Sequence, residues 1–181
     1  MKEIRWHGRG GQGGFTASRL LGIAASVHGN KHALAFPSFG PERRGAPVLA
    51  FTKIDDTKLN DRSEVEESDY VVVMDETLID SGFSKGIKTG ATIVINTTQP
   101  ERYRALLPSY TIMSIDASKI AMEILGRHIT NTAMYGALAA ASDLVSLDAA
   151  LESIKTEMKP AIAEKNMRIV KLAYETVKNQ M

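Results

Sequence analysis

Glu3-Ile4-Arg5-Trp6-His7-Gly8-Arg9-Gly10-Gly11-Gln12-Gly13-Gly14-Phe15 opens the chain with a strand-like run, a glycine-rich turn and the first residue of a helical pattern. Five of the seven residues from 8 to 14 are glycine. Each glycine costs conformational entropy on folding, so such a run is kept where the backbone must turn with positive φ or lie close to another body. Phe15 to Val27 follows with helical period, its buried face formed by Leu20, Leu21, Ile23, Ala24 and Val27. A strand, a glycine turn and a helix N-terminus in succession make a seat for an anion.

Ile4 to His7, Lys31 to Phe36 and Val48 to Ile54 read as strands. Tyr70 to Met74 and Thr92 to Ile95 are continuous β-branched runs, the pattern of strands covered on both faces, and Thr111 to Ile115 is a further strand. Ser118 to Leu125, Thr132 to Val145, Leu147 to Met158 and Ala161 to Val177 read as helices. Ser146 is placed to cap one of them, and Pro160 to start another. Strands alternating with helices, then helices alone, predict an α/β fold: a Rossmann-like three-layer domain with a mostly parallel sheet and a helical C-terminal third. One domain spanning residues 1–181 is expected from the length.

Composition narrows the function. The 44% hydrophobic and 24% charged content is that of a globular protein. A net charge of +1 gives no bulk attraction to nucleic acid or to a membrane surface. No apolar run is long enough to span a bilayer, and no basic-then-apolar leader precedes the first strand, which speaks against secretion. With no cysteine, the chain has no thiolate nucleophile, no disulfide and no thiolate ligands for an iron–sulfur cluster. The four histidines show no metal-ligand spacing.

Gly8, Gly10 and Gly13 match the G-x-G-x-x-G spacing of dinucleotide-binding turns. That site also needs an acid at the end of the second strand for the ribose, and Phe36 runs into Pro37-Ser38 with none. A nicotinamide cofactor is therefore disfavoured. A phosphate or other anion on the amides stays open, as does a turn that only lets strand and helix pack. Arg9 and Gln12 could contact a ligand or another subunit, or simply face solvent.

A second loop, Ser38-Phe39-Gly40-Pro41-Glu42-Arg43-Arg44-Gly45-Ala46-Pro47, follows a strand's carboxyl end, the edge where ligands bind in open α/β sheets. Arg43 or Arg44 could complete an anion site begun by the glycines. A solvated loop with a local Glu42–arginine pair, or a docking surface, fits the same residues. A third feature, Asn131-Thr132-Ala133-Met134-Tyr135-Gly136, starts a small-residue helix that Asn131 or Thr132 can cap. Packing is the better reading of its glycine and alanines.

Together, Gly8 to Gly14, Phe36 to Pro47 and Ile129-Thr130-Asn131-Thr132-Ala133-Met134 resemble, in order and spacing, the gamma subunit of pyruvate and other 2-oxoacid:ferredoxin oxidoreductases. The Pro-Glu-Arg-Arg-Gly-Ala-Pro form is most similar to pyruvate-type or branched-chain-type subunits. The resemblance implies a cytoplasmic enzyme of several chains, inactive as this chain alone. Alpha and beta chains would carry thiamine diphosphate and magnesium, and a delta chain 4Fe-4S clusters that pass electrons to ferredoxin. It implies no catalytic residue here. It implies a share in a coenzyme A site through Gly8, Arg9, Gly10, Gly11, Gln12, Gly13 and Gly14, then Glu42, Arg43, Arg44 and Gly45, then Asn131 and Thr132. A scaffold role for both loops, and a free-standing NAD(P)-binding protein, are the alternatives.

Overall fold

The computed structural model describes residues 1–38 and 44–181. Six strands form one sheet: β1 (Lys2–Arg9), β2 (His32–Pro37), β3 (Pro47–Asp55), β4 (Ser68–Val73), β5 (Ile87–Asn96) and β6 (Thr111–Ile115), in the order β2-β3-β1-β4-β5-β6. β1, β4, β5 and β6 pair in parallel, while β3 runs antiparallel to both β1 and β2. Five strands thus point one way, as a mostly parallel sheet requires.

Helices α1 (Gly14–Val27), α3 (Ala117–Leu125), α4 (Asn131–Ala140), α5 (Leu147–Glu157) and α6 (Pro160–Lys178) cover one face. They pack on Ile4, Trp6, Ala50, Val72 and Val94, all buried. The other face is covered by α2 (Pro100–Leu106) and by irregular chain, through Phe83, Ile87, Tyr103 and Leu107 under β4 to β6 and Val65 under Phe36 and Phe51. These are the three layers. Val71 to Val73 and Ile93 to Ile95 are fully buried because both faces of β4 and β5 are covered.

Several bounds move. β1 continues through Gly8 and Arg9 because they pair with Val48 and Pro47. The helix read to Val145 stops at Ala140. Ser146 caps α5 by accepting the Ala149 amide at 3.1 Å, and Pro160 takes the first position of α6. Neither Asn131 nor Thr132 caps α4: Thr130 stands at that position with helical φ and makes no side-chain cap bond. At the outer edge, the Gln180 side chain accepts from the Ser114 amide at 3.2 Å and donates to its carbonyl at 2.7 Å, occupying backbone groups of β6 that no further strand uses.

Most consequential is β3. In a dinucleotide fold the strand after the first helix lies beside the first strand. Here β3 is inserted between them, so the end of β2 is not where a ribose acid would have to stand. The failed match at Phe36-Pro37-Ser38 has a topological cause.

Candidate functional site

The glycine turn and the arginine loop, more than thirty residues apart, are hydrogen-bonded to each other. The β2–β3 hairpin reverses at the carboxyl end of β1. There Gly10 donates its amide to the Ala46 carbonyl at 2.8 Å, and Gly45 donates its own to Gly10 at 3.0 Å. Gly10 and Arg44 form a parallel bridge. Gly11 and Gly13 adopt φ of 93° and 78°, a region that favours glycine. Gly8 serves close approach, since a Cβ there would lie 3.3 Å from Met74 Sδ.

Not every amide of the turn is open. Gly10 is committed to Ala46, and Gln12 donates its amide to the Arg9 carbonyl at 3.0 Å. The Gln12 side chain folds inward, its Oε1 accepting from the Arg9 amide at 2.7 Å. The expected seat from Gly10 to Gly14 therefore narrows to Gly11 and the start of α1. Among the described residues the amides of Gly13 and Gly14 have no partner, α1 has no side-chain cap, and its first turn carries no acid. An uncapped N-terminus of this length favours an anion. Arg44 and Gly45 are exposed beside it. Glu42 and Arg43 lie outside the described residues.

Asn131 joins the same edge, its side-chain nitrogen lying against Gly13, and its Oδ1 accepts the Thr132 amide at 2.9 Å. Thr132 is fully buried and donates its hydroxyl to Asn166 Oδ1 at 2.8 Å. Its side chain binds α4 to α6 and does not reach a surface.

Arg9 does not face solvent freely. Its guanidinium pairs with Asp75 and Thr77 just past β4, and with the Gly45 carbonyl. Burial raises the Asp75 carboxyl, but bonds from Thr77 and Arg9 outweigh it, and the group stays below its ordinary value. Asp75, Glu76 and Asp116 line a cavity of about 390 Å³ beside the turn, together with Gln12, Asn96 and His128. Those carboxylates oppose an anion entering that cavity.

Sequence reasoning passes over Asp75, Thr77 and Asn96. Asp75 directly follows the buried run ending at Met74, and Asn96 the run ending at Ile95. Polar residues immediately after continuous apolar strands stand at the ligand-binding edge, and that signal lies in the sequence. Asn96 ties the strand ends together, donating to the Met74 carbonyl at 3.0 Å and accepting from Ala117 at 3.0 Å.

On the face away from α1, β1 turns Arg5, His7 and Arg9 toward a second cavity of about 790 Å³. His7 lies against the Phe83 ring at 5.1 Å between centroids, and its Nε2 is buried without a partner. Burial and the neighbouring Arg5 push its pKa down to about 3, against a smaller opposing effect of Asp80. Arg5 donates to the Lys85 and Phe83 carbonyls. Among the described residues, no group of three or more His, Cys, Asp or Glu is placed to hold a metal ion.

Comparison with known proteins identifies the family. Residues 3–176 match the family model described as pyruvate ferredoxin/flavodoxin oxidoreductase. Pyruvate synthase subunit PorC of Methanocaldococcus jannaschii is 45% identical over 96% of this chain and 96% of its own length. The pyruvate/ketoisovalerate oxidoreductases common subunit gamma of Thermococcus kodakarensis is 43% identical over 96% of each. The crystal structure of pyruvate oxidoreductase subunit PORC from Thermotoga maritima superposes with a TM-score of 0.85 at 38% identity, covering 98% of this chain and 97% of that one. The chain belongs to the pyruvate ferredoxin/flavodoxin oxidoreductase family, as a gamma-type subunit.

Proposed function

We propose that this chain, a single domain over residues 1–181, is the gamma subunit of a multi-chain pyruvate:ferredoxin oxidoreductase. That enzyme converts pyruvate and coenzyme A to acetyl-coenzyme A and carbon dioxide, with the electrons passed to ferredoxin. Alpha, beta and delta subunits would carry thiamine diphosphate, magnesium and the 4Fe-4S clusters. A chain without cysteine suits that division. Its place is the cytoplasm; no described helix is long and apolar enough to cross a membrane.

Within the complex, the joined loops contact phosphates of coenzyme A. The observation that carries this reading is the bridge between Gly10 and Arg44, which sets an exposed arginine beside the uncapped start of α1. Amides and an arginine fork together suit a polyphosphate, and coenzyme A needs no ribose acid at β2. Coenzyme A would supply the acyl-accepting thiol, and this chain's part is to bind and orient its phosphate end. Replacing Arg43 and Arg44 by alanine in the assembled enzyme should raise KM for coenzyme A by about tenfold or more, as loss of charge-assisted contacts does. An unchanged KM with intact assembly would reject it.

A second reading, scaffolding alone, is favoured by the carboxylates that line the cavity beside the turn. The name of the Thermococcus relative, a subunit common to two oxidoreductases, supports the view that substrate choice lies elsewhere, so a branched-chain enzyme is also compatible. Under scaffolding, the arginine variants lose co-purifying subunits and leave KM for coenzyme A unchanged.

A further inference from the structure

Arg9 ends β1, and acceptors from two other segments meet its guanidinium. Nε donates to Asp75 Oδ2 at 2.7 Å, Nη2 to Thr77 Oγ1 at 2.8 Å, and Nη1 to the Gly45 carbonyl at 3.2 Å. Thr77 donates both its hydroxyl and its amide to Asp75 Oδ1. The two oxygens of Asp75 therefore act separately, Oδ1 shaping the turn after β4 while Oδ2 holds Arg9. We infer that Asp75 and Thr77 are positioning residues, acting through Arg9 to fix the segment that carries Arg44.

The need for such a clamp follows from the backbone. Arg44 is joined to the sheet by an isolated bridge, and the next residue, Gly45, has φ of 80° with nothing within 4 Å of its Cβ position. Two backbone bonds set the register, but a glycine in open space is a pivot. The Arg9 fork closes on the carbonyl of that pivot and anchors it to the end of β4. Only a guanidinium can do this, because its donors diverge in one plane toward several acceptors, whereas an ammonium is a single point. Arg9 is thereby a clamp and not a free ligand contact.

This inference rests on reading Arg44 as the phosphate contact, and the test separates the two. In the assembled enzyme, D75N keeps an acceptor for the Thr77 amide while turning an amide group toward Arg9. T77V removes the hydroxyl, and T77S restores it. D75N and T77V should speed amide hydrogen exchange across residues 44–46. They should also raise KM for coenzyme A by about tenfold, the scale of one charge-assisted bond, with a smaller fall in kcat. T77S should behave like the parent. Unchanged exchange in D75N and T77V overturns the inference. So does an unchanged KM in both where R44A raises it. If R44A itself leaves KM unaltered, the coenzyme A reading falls, and faster exchange alone upholds the clamp.

Discussion

The side-chain amide of Asn131 lies so close to Gly13 that a Cβ on the glycine would come within 2.5 Å of Nδ2. Gly13 also holds φ of 78°, so an alanine there meets both backbone strain and a collision. G13A should cost about 1–3 kcal/mol from the strained backbone alone. Adding N131A removes the collision and leaves the strain. The double variant should therefore be less destabilised than the sum of the singles, a coupling that chemical denaturation of the four proteins would measure.

Thr132 and Asn166 form a buried pair whose other end is fixed, because Asn166 donates to the Ile162 carbonyl at 2.9 Å. T132V keeps the shape and leaves Oδ1 of Asn166, a residue only 5% exposed, without that donor. The expected loss is about 1–3 kcal/mol, and T132S should recover most of it. Equal losses in the valine and serine variants would show that the hydroxyl is not what matters.

At Gly136 the backbone of α4 lies close against that of α6. A Cβ there would stand 2.6 Å from the Val170 carbonyl oxygen and 2.9 Å from its Cα, both backbone and unable to swing aside. G136A should lower stability by about 1–3 kcal/mol despite improving helix propensity, since overpacking outweighs that gain. A Tm equal to or above the parent's would reject this account of the helix pair.

His7 makes stability depend on pH in a defined direction. Its folded pKa of about 3 lies below the ordinary 6.5, so between those values the unfolded chain binds a proton that the folded chain does not. Stability from this group is complete above pH 6.5 and is lost as pH falls toward 3. The slope is at most one proton, about 1.4 kcal/mol per pH unit. H7L should flatten the curve by that amount in urea titrations through the window, and parallel curves would dismiss the assignment.

The parts of the fold visible in the sequence are those whose cause is local. Val71 to Val73 and Ile93 to Ile95 declare their double burial by composition, and the run Thr111 to Ile115 coincides with β6 at both ends. α2 escapes a sequence reading because seven residues with one buried side chain, Tyr103, carry no period. α4 reads too long because it is buried all round, which leaves no polar stripe to mark its end. The insertion of β3 depends on pairing Lys2 with Ile54 and Arg9 with Pro47, a choice made across the chain.

The candidate site divides in the same way. The glycines, Arg44 and Asn131 stand out by type and spacing, and the structure brings Gly10 to Arg44 and Gly13 to Asn131. From the sequence Arg9 is open to ligand or solvent, because its partner Asp75 is 66 positions away and no spacing rule reaches that far.

The antiparallel ladder of β1 with β3 also works as a ruler. Together with the Gly10–Ala46 and Gly45–Gly10 bonds, it decides how far along β1 the arginine-bearing turn is set down, with Arg9 opposite Pro47 as the last mark. Sliding β3 by one residue would turn its core side chains to the wrong face. Sliding it by two would keep the faces and carry Arg44 about 7 Å from Gly10, twice the strand rise. The distance between the two signature loops is therefore written in the register of β3 against β1 as well as in the loops.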